Sequence, residues 1–323
     1  MKHLKKSLYA LAICATAFAA PAAAQQRVFV GIATGGTGGT YYPLGGMLAQ
    51  LISNNAELEG RRISATAETG NASVANAGLL ARGEIETAFV AADILDAAYR
   101  GVNQFDGNPA ENLRALGSLY PETVQLVARA NSGITSFADL RGRSISSGAP
   151  GSGQWQLLGD LLEAHGMTRD DVTEDHSSFV QSVDKIKDGN LDASLITAGM
   201  PTSSVTELAN GHDIVVIPLT GAEIVALQEV QPYYADVTLP AGSYRGIDTD
   251  VPTIAVRAIW ATHADLEDDI AYAMVKALYE NTETLGQVHV MGGQISAETA
   301  LESISIPLHP GAERYFREIG LMP

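Results

Sequence analysis

Short apolar runs alternate along this chain with segments whose apolar residues recur at helical spacing. The run 28–32 predicts a strand, and the apolar residues at 44, 47, 48, 51 and 52 then follow the spacing of one helical face. Strand-then-helix segments recur from 63 to 81, from 144 to 166 and from 192 onward, and the run 87–90 predicts a further strand. The alternation predicts an α/β fold in which helices cover a parallel sheet.

The four strand-to-helix junctions are rich in glycine and small polar residues. They span residues 35–43, 68–73, 148–153 and 198–201. Ligands of open parallel sheets bind beyond the carboxyl ends of the strands, where such junctions meet. Two junctions precede residue 110 and two follow residue 140, so we expect a ligand site between two lobes.

Two further runs, 122–130 and 252–261, are rich in valine, isoleucine and alanine and have no helical period. We expect them to form paired hinge strands, because a few hinge residues can absorb the dihedral change of lobe closure. The predicted organisation is an export signal at 1–24, the first part of lobe I at 25–122 and lobe II at 123–251. Residues 252–323 return through the hinge and complete lobe I with a helix from about 266 to 285.

The first residues predict export to the periplasm. Lysines at positions 2, 5 and 6 precede an apolar stretch at 8–20 that is too short to span a bilayer, and an Ala-x-Ala site ends at Ala24. We expect cleavage near Ala24. The only cysteine, Cys14, follows Leu11-Ala12-Ile13, which is not a lipoprotein pattern, so we expect neither a lipid anchor at Cys14 nor disulfides in the mature chain.

The formal net charge of −17 becomes −20 when the three lysines of the signal are removed. Such an acidic surface argues against nucleic acid as a partner. It does not exclude an anionic ligand, because salt screens distant charges whereas helix N-termini act locally. We expect a monomer.

Four of the five positions 35–39 are glycine, and the stretch continues to Pro43. A dinucleotide pattern beginning at Gly36 would need glycine where Tyr41 stands. A phosphate loop beginning at Gly31 would need lysine where Thr37 stands. The stretch therefore predicts a small anionic ligand held by backbone N–H groups at a helix start, with a simple tight turn as the alternative.

Several residue patterns indicate that the protein is not an enzyme. Ser152 lies in Pro-Gly-Ser-Gly-Gln, which is not the G-x-S-x-G nucleophile elbow. The mature chain's histidines form no H-x-x-x-H or H-x-H pair, and its acidic clusters complete no calcium loop. We expect no cofactor and no metal.

The chain closely resembles the TAXI family, the extracytoplasmic solute receptors of one branch of TRAP transporters. The resemblance covers nearly the whole mature chain, and it rests on segments 35–43, 69–74, 119–122, 148–153, 192–201, 250–253 and 306–311. It implies a type II periplasmic binding protein fold, with two α/β lobes, two hinge strands and an interlobe cleft. It further implies that the protein delivers glutamate, glutamine or a dicarboxylate such as 2-oxoglutarate to a TRAP permease. That permease would be built from fused or paired small and large subunits and would be coupled to sodium, without ATP.

The resemblance also implies a set of ligand-binding residues. They are Thr37, Gly39, Thr40, Tyr41, Asn71, Ser73, Gly151, Ser152, Gly153, Ala198 and Gly199. Alternative roles are a core aromatic for Tyr41 and helix capping for Asn71 and Ser73, Asn71 being the predicted N-cap.

One departure from the family bears on the ligand. Ala91-Ala92-Asp93 stands where the family commonly has glutamine, serine and aspartate. Because polar contacts decide specificity in such pockets, a less polar or aromatic carboxylate is an alternative ligand. A ligand-sensing subunit of a signalling system is an alternative function for the same cleft.

Overall fold

The structure is a computed structural model that describes residues 26–323. The predicted export signal, its cleavage near Ala24 and Cys14 lie outside the described residues. Between residues 26 and 323 no helix is both long and apolar enough to cross a membrane.

The described chain alternates strands and helices. The strands are β1 (Gln26–Ala33), β2 (Glu57–Leu58), β3 (Arg61–Glu68), β4 (Thr87–Ala91), β5 (Leu113–Arg129), β6 (Ser144–Ser146), β7 (Thr173–Asp175), β8 (Ala193–Ala198), β9 (Ile214–Ile217), β10 (Ala235–Leu239) and β11 (Val251–His263). The helices are α1 (Tyr41–Asn55), α2 (Ser73–Ala81), α3 (Ala92–Arg100), α4 (Gln154–Ala164), α5 (Phe179–Lys187), α6 (Ser203–Gly211), α7 (Ala222–Val230), α8 (Asp268–Tyr279), α9 (Glu283–Gly286) and α10 (Pro310–Glu318).

All the strands belong to one sheet with the order β2-β3-β1-β4-β11-β5-β8-β6-β7, and β10 and β9 pair with β11 and β5. In the first half of the sheet, β3, β1 and β4 are parallel, and in the second half β8, β6 and β7 are parallel. The predicted α/β architecture is confirmed. Its strand-to-helix junctions follow the carboxyl ends of β1, β3, β6 and β8 as predicted.

Two long antiparallel strands join the halves. β5 has 17 residues and β11 has 13, and they pair from Leu113 opposite His263 to Thr123 opposite Ala255. Both runs predicted as hinge strands lie within them, and the pairing extends well into the first half. Leu126 of β5 and Ile259 of β11 are fully buried in one apolar cluster that includes residues of both halves. The hinge role and the lobe boundaries stay predictions.

Helices bury apolar faces against this sheet. Leu44, Leu48 and Ile52 of α1 lie with Trp260 in a second buried cluster, as the spacing predicted. A third cluster lies between β8, α5 and α6 of the second half. Among the parallel strands, β4 is buried along its whole length and β8 along most of it, as expected where helices cover a sheet.

Two local expectations were wrong. Asn71 is not the N-cap of α2; Ala72 occupies that position with φ of +63°, so that Ser73 begins the helix and its hydroxyl accepts the Ala91 N–H. The predicted helix 266–285 is interrupted between α8 and α9, where the Asn281 amide donates to the Ala277 carbonyl. Asparagine side chains compete for backbone groups in this way and end helices.

Candidate functional site

A cavity of about 320 Å³ lies at the carboxyl ends of the parallel strands of both halves. Nine predicted ligand residues line it: Thr37, Gly39, Thr40, Tyr41, Asn71, Ser73, Ser152, Gly153 and Ala198. Gly151 and Gly199 do not. The first residues of four helices also line it, namely Tyr41 of α1, Ser73 of α2, Gln154 of α4 and Phe179 of α5. Four partially positive helix ends therefore face one small space.

The glycine-rich loop after β1 forms one wall. Its tight turn is closed by the Gly39 N–H, which donates to the Gly36 carbonyl at 3.2 Å. The Gly38 carbonyl accepts the Ser203 hydroxyl at 3.0 Å and the Ser204 N–H at 3.2 Å, both from the second half. A Cβ on Gly38 would lie 2.7 Å from the Val180 Cγ2. The loop needs glycine here because the second half approaches so closely.

Gly151 and Gly199 lie where the halves touch, at the rim of the cavity. The Gly151 carbonyl accepts the Ala75 N–H at 3.0 Å, and the Gly199 carbonyl accepts the Thr40 hydroxyl at 3.1 Å. A Cβ on Gly199 would lie 2.5 Å from the Met291 Cγ and 3.0 Å from the Thr40 Cγ2. These glycines close the cavity and do not line it.

Tyr41 connects the glycine-rich loop to a buried acid. Its ring packs edge-on against Phe89, and its hydroxyl donates to the Glu122 Oε2 at 3.0 Å and lies 3.4 Å from the Ser73 Oγ. Burial raises the pKa of the Glu122 carboxyl well above its usual range, although the Tyr41 hydrogen bond opposes that shift. Both roles considered for Tyr41 hold in part, since it is a core aromatic and also lines the cavity.

A second acid lies at the start of α3. Asp93 accepts the Tyr234 hydroxyl at 2.8 Å through its Oδ2, and this bond joins the two halves. Burial raises the pKa of Asp93 from 3.8 to about 6, and the Tyr234 hydrogen bond opposes the rise. Ala91, just before α3, lines the cavity, whereas Ala92 is buried beside it.

Sequence reasoning missed Asp93, Glu122 and Tyr234 as site residues. Asp93 belongs to the run 91–93, which departs from the family pattern, and Glu122 is the last residue of the segment 119–122, which matches that pattern. Neither residue was predicted to contact a ligand. Tyr234 lies outside every motif, and no local signal in the sequence marks it.

Several polar atoms at the cavity have no partner. Within residues 26–323, the Asp93 Oδ1, Ser152 Oγ, Gln154 Oε1 and Thr197 Oγ1 are buried without a hydrogen bond. Buried polar atoms are normally paired, so these four atoms can bind a ligand. The unpartnered Ser152 hydroxyl also has no base held against it by the described residues, whereas a catalytic serine needs one.

The fold and its cavity define a class. Two α/β halves joined by long strands, with a cavity at the strand ends that both halves line, are the architecture of periplasmic binding proteins. The chain is similar to the periplasmic aliphatic sulphonate binding protein SsuA from Escherichia coli, with 15% identity, a TM-score of 0.50 and coverage of 90% of this chain and 83% of that chain.

Two other solved structures share the fold. A protein from Bordetella bronchiseptica RB50 matches with 16% identity and a TM-score of 0.57 over 90% of this chain and 98% of that chain. The ligand-binding component of an ABC-type import system from Staphylococcus aureus, with zinc bound, matches with 12% identity and a TM-score of 0.50 over 92% and 93% of the two chains. The chain belongs to the NMT1-like family, whose model matches residues 32–320.

Proposed function

We propose that this protein is a periplasmic solute-binding receptor that holds a small molecule between its two halves and passes it to a membrane transporter. The observation that carries the proposal is the cavity of about 320 Å³ that residues of both halves line. Its size is at the lower end of the usual range for small-molecule sites, which suits a metabolite better than a polymer.

The transporter that we propose is a TRAP permease of the TAXI branch, coupled to a cation gradient. This assignment rests on the motif resemblance over nearly the whole mature chain. We further propose that the receptor is a monomer exported by a cleavable signal. Its lobe I comprises residues 25–122 and 252–323, and its lobe II comprises residues 123–251.

The ligand that we propose is a small carboxylate, of which glutamate, glutamine and 2-oxoglutarate are the family's examples. The glycine-rich loop and the starts of α1, α2, α4 and α5 offer N–H groups and positive helix ends to a carboxylate. The residues for this contact are those predicted from the sequence, Thr37 to Tyr41 in the first half and Ser152 and Gly153 in the second.

A less polar or aromatic carboxylate has specific support as a second candidate. Apolar side chains from both halves line the cavity, among them Ala91, Leu157, Phe179 and Val256. An apolar tail placed against them would be desolvated at little cost.

The proposed mechanism is capture followed by closure. Five hydrogen bonds already described cross between the halves: from Thr40 to Gly199, from Ala75 to Gly151, from Tyr234 to Asp93, and from Ser203 and Ser204 to Gly38. A ligand that contacts both halves binds this closed form better than an open form, and that difference in affinity drives closure. The permease then recognises the closed receptor. Ser152 contributes hydrogen bonds and no catalysis.

A thermal-shift screen of the mature protein against amino acids, dicarboxylates and aromatic acids tests the proposal. A true ligand at 100 times its dissociation constant stabilises the fold by about 2.7 kcal/mol. If no carboxylate raises the unfolding midpoint, the carboxylate-receptor proposal is wrong.

A further inference from the structure

The loop of residues 199–202, which joins β8 to α6 in the second half, lies against the first half. Met200 packs against two of the apolar clusters already described, the second in the first half and the third in the second half. The Gly199 carbonyl accepts the Thr40 hydroxyl from the start of α1. The loop 199–202 is therefore a point of contact between the halves.

A histidine of the first half also contacts this loop. His289 precedes the turn 290–294, whose Met291 is buried in one cluster with residues of α1 and α8. The Nε2 of His289 lies 3.1 Å from the Pro201 carbonyl oxygen, and its Nδ1 accepts the Met291 N–H at 3.1 Å. The contact with Pro201 is a further hydrogen bond between the halves.

These two bonds determine the protonation state of the His289 ring. A carbonyl oxygen only accepts, so the Nε2 carries a proton, and a backbone N–H only donates, so the Nδ1 carries none. A second proton can bind the ring only at Nδ1, where it would displace the Met291 N–H. Both partners of His289 are therefore satisfied only while the imidazole is neutral.

Burial disfavours the protonated form of His289. It lowers the pKa of the imidazole below its ordinary value, and the bond to Pro201 opposes this shift. The loop 199–202 has no titratable side chain. The neighbouring elements α9, α1, β5 and α6 carry the titratable residues Glu283, Tyr41, Tyr42, Arg114, Tyr120, Glu122, Arg129 and Glu207. Within residues 26–323, none of these groups raises the pKa of His289.

A buried network holds the loop 199–202 to the second half. Gln125 of β5 donates to the Thr202 Oγ1 at 2.9 Å, and the Thr202 hydroxyl donates to the Gly199 carbonyl at 2.9 Å. Tyr244 accepts the Thr202 N–H at 2.8 Å and donates to the Gln125 Oε1. Because every polar atom of these three side chains is paired, the network keeps the loop carbonyls in place. Separation of the halves therefore breaks the contact with His289 and leaves the loop where it is.

His309 makes the same pair of bonds inside the first half. Its Nδ1 accepts the Gly311 N–H at 3.2 Å, and its Nε2 lies 2.9 Å from the Leu266 carbonyl oxygen. His309 is fully buried, whereas His289 is half-buried and within reach of solvent. The bonds of His309 do not depend on closure, because both of its partners belong to one half.

We infer that His289 is a proton-sensitive latch, whose neutral imidazole holds the two halves together and whose protonation releases them. This inference rests on the proposed function and adds a regulation of its closure. His289 is not among the described residues that line the cavity, so it is a positioning residue that acts on the ligand site through closure.

Energy transfer between two dyes, one on each half of the mature unliganded protein, tests the inference. The chain's only cysteine lies in the predicted signal, so Gln50→Cys in α1 and Glu163→Cys in α4 provide specific attachment sites, and both positions are exposed. Asp93 has a pKa of about 6, and its bond to Tyr234 also crosses between the halves. The measurement is therefore made in an Asp93→Asn background, where this group does not titrate.

We expect closed molecules at about pH 8 in that background, and a closed-to-open ratio that falls about 3- to 10-fold by about pH 5. One hydrogen bond between the halves is lost on protonation, and its usual strength sets this range. We expect His289→Gln to make the ratio independent of pH. The matched control His176→Gln changes an exposed histidine whose partner, Ser147, belongs to the same half, and it should keep the pH dependence.

NMR of the histidine ring nitrogens in the wild-type protein is a second measurement that needs no dyes. We expect the neutral ring of His289 to carry its proton on Nε2, and its pKa to lie below the ordinary value of about 6.5. A pKa at or above that value, or a proton on Nδ1 of the neutral ring, overturns the inference.

The outcomes separate the latch from the function on which it rests. An equal response to pH in His289→Gln and in its parent overturns the latch and leaves the receptor intact. An absence of closed molecules at about pH 8 also overturns the latch, because only a ligand would then close the halves. A single distance that never changes shows that the halves do not move, and both the latch and the proposed closure are then wrong.

Discussion

The glycine-rich loop and the acid–tyrosine cluster of Asp93, Glu122, Tyr41 and Tyr234 line the same cavity but offer opposite chemistry. The loop presents backbone donors at a helix start, and it meets the second half through carbonyls such as that of Gly38. The cluster presents side-chain acceptors, and it meets the second half through a tyrosine hydroxyl. One cavity can therefore bind the two ends of a ligand in different ways.

Of the two regions, we expect only the acid–tyrosine cluster to respond to pH. This is the largest effect that we expect. Asp93 has a pKa of about 6 in the folded protein against an ordinary value of 3.8, so its charged form is disfavoured by folding. Below about pH 4 the carboxyl group is neutral in both the folded and the unfolded protein and does not change the free energy of unfolding. Above about pH 6 it is ionised in both, and it lowers the free energy of unfolding by about 3 kcal/mol.

Asp93→Asn should remove that cost. The unliganded variant should gain about 3 kcal/mol relative to the wild type between pH 4 and pH 7, measured by urea unfolding. Tyr234 and Asp160 interact with Asp93, and Asp93 acts on Glu122; all three groups are retained in both proteins, so they enter the difference only through their coupling to Asp93. A stability difference that does not vary with pH would contradict a buried, proton-binding Asp93.

Gly199→Ala tests the close contact between Gly199 and the first half. The new Cβ would lie 2.5 Å from Met291 and 3.0 Å from Thr40 across the closed contact. Overpacking of this kind costs about 1–3 kcal/mol, and because it acts only on the closed form it should weaken ligand binding about 10- to 100-fold.

Gly46→Ala is the matched control, because no atom outside its own helix lies within 4 Å of a Cβ built at that site of α1. It should bind ligand as the wild type does and gain up to about 1 kcal/mol in stability, since alanine favours helices. Equal affinities of the two alanine variants would show that Gly199 has no part in closure.

Tyr41 belongs to both regions, and Tyr41→Phe tests its hydrogen bond to Glu122. Its loss leaves the buried Glu122 Oε2 without its donor and should lower the unfolding free energy by about 1–3 kcal/mol. The neighbouring Tyr42 is partly exposed, so Tyr42→Phe should change stability by no more than about 0.5 kcal/mol. A larger loss in Tyr42→Phe than in Tyr41→Phe would contradict the assigned hydrogen bond.

The two regions also differ in how much of them the sequence could predict. The glycine-rich loop is one contiguous segment. Glycines at 35, 36, 38 and 39 between a strand and a helix predict its tight backbone without reference to distant residues. The α/β alternation and the long β5 and β11 strands are equally local patterns of apolar spacing. These features were predicted because neighbouring residues determine them, except that β5 begins at Leu113, nine residues before the run that was predicted.

The acid–tyrosine cluster depends on long-range contacts. Tyr234 and Asp93 lie 141 residues apart, and Glu122 lies 81 residues from Tyr41. No spacing rule joins such residues, since only the folded chain brings β5 beside α1 and the segment before β10 beside α3. The predicted N-cap role of Asn71 was wrong for a related reason. Ala72 adopts a positive φ at the N-cap position, and the Ser73 hydroxyl accepts the N–H of Ala91 at the end of β4.

A crystal structure with the most stabilising carboxylate of the thermal-shift screen shows whether one ligand contacts both the glycine-rich loop and the acid–tyrosine cluster. We expect a ligand inside the cavity, with its carboxylate on N–H groups of residues 36–38 and 40 and another of its groups within hydrogen-bond distance of Asp93. A ligand bound outside the cavity, or with its carboxylate turned toward Asp93 and Glu122, would contradict this expectation.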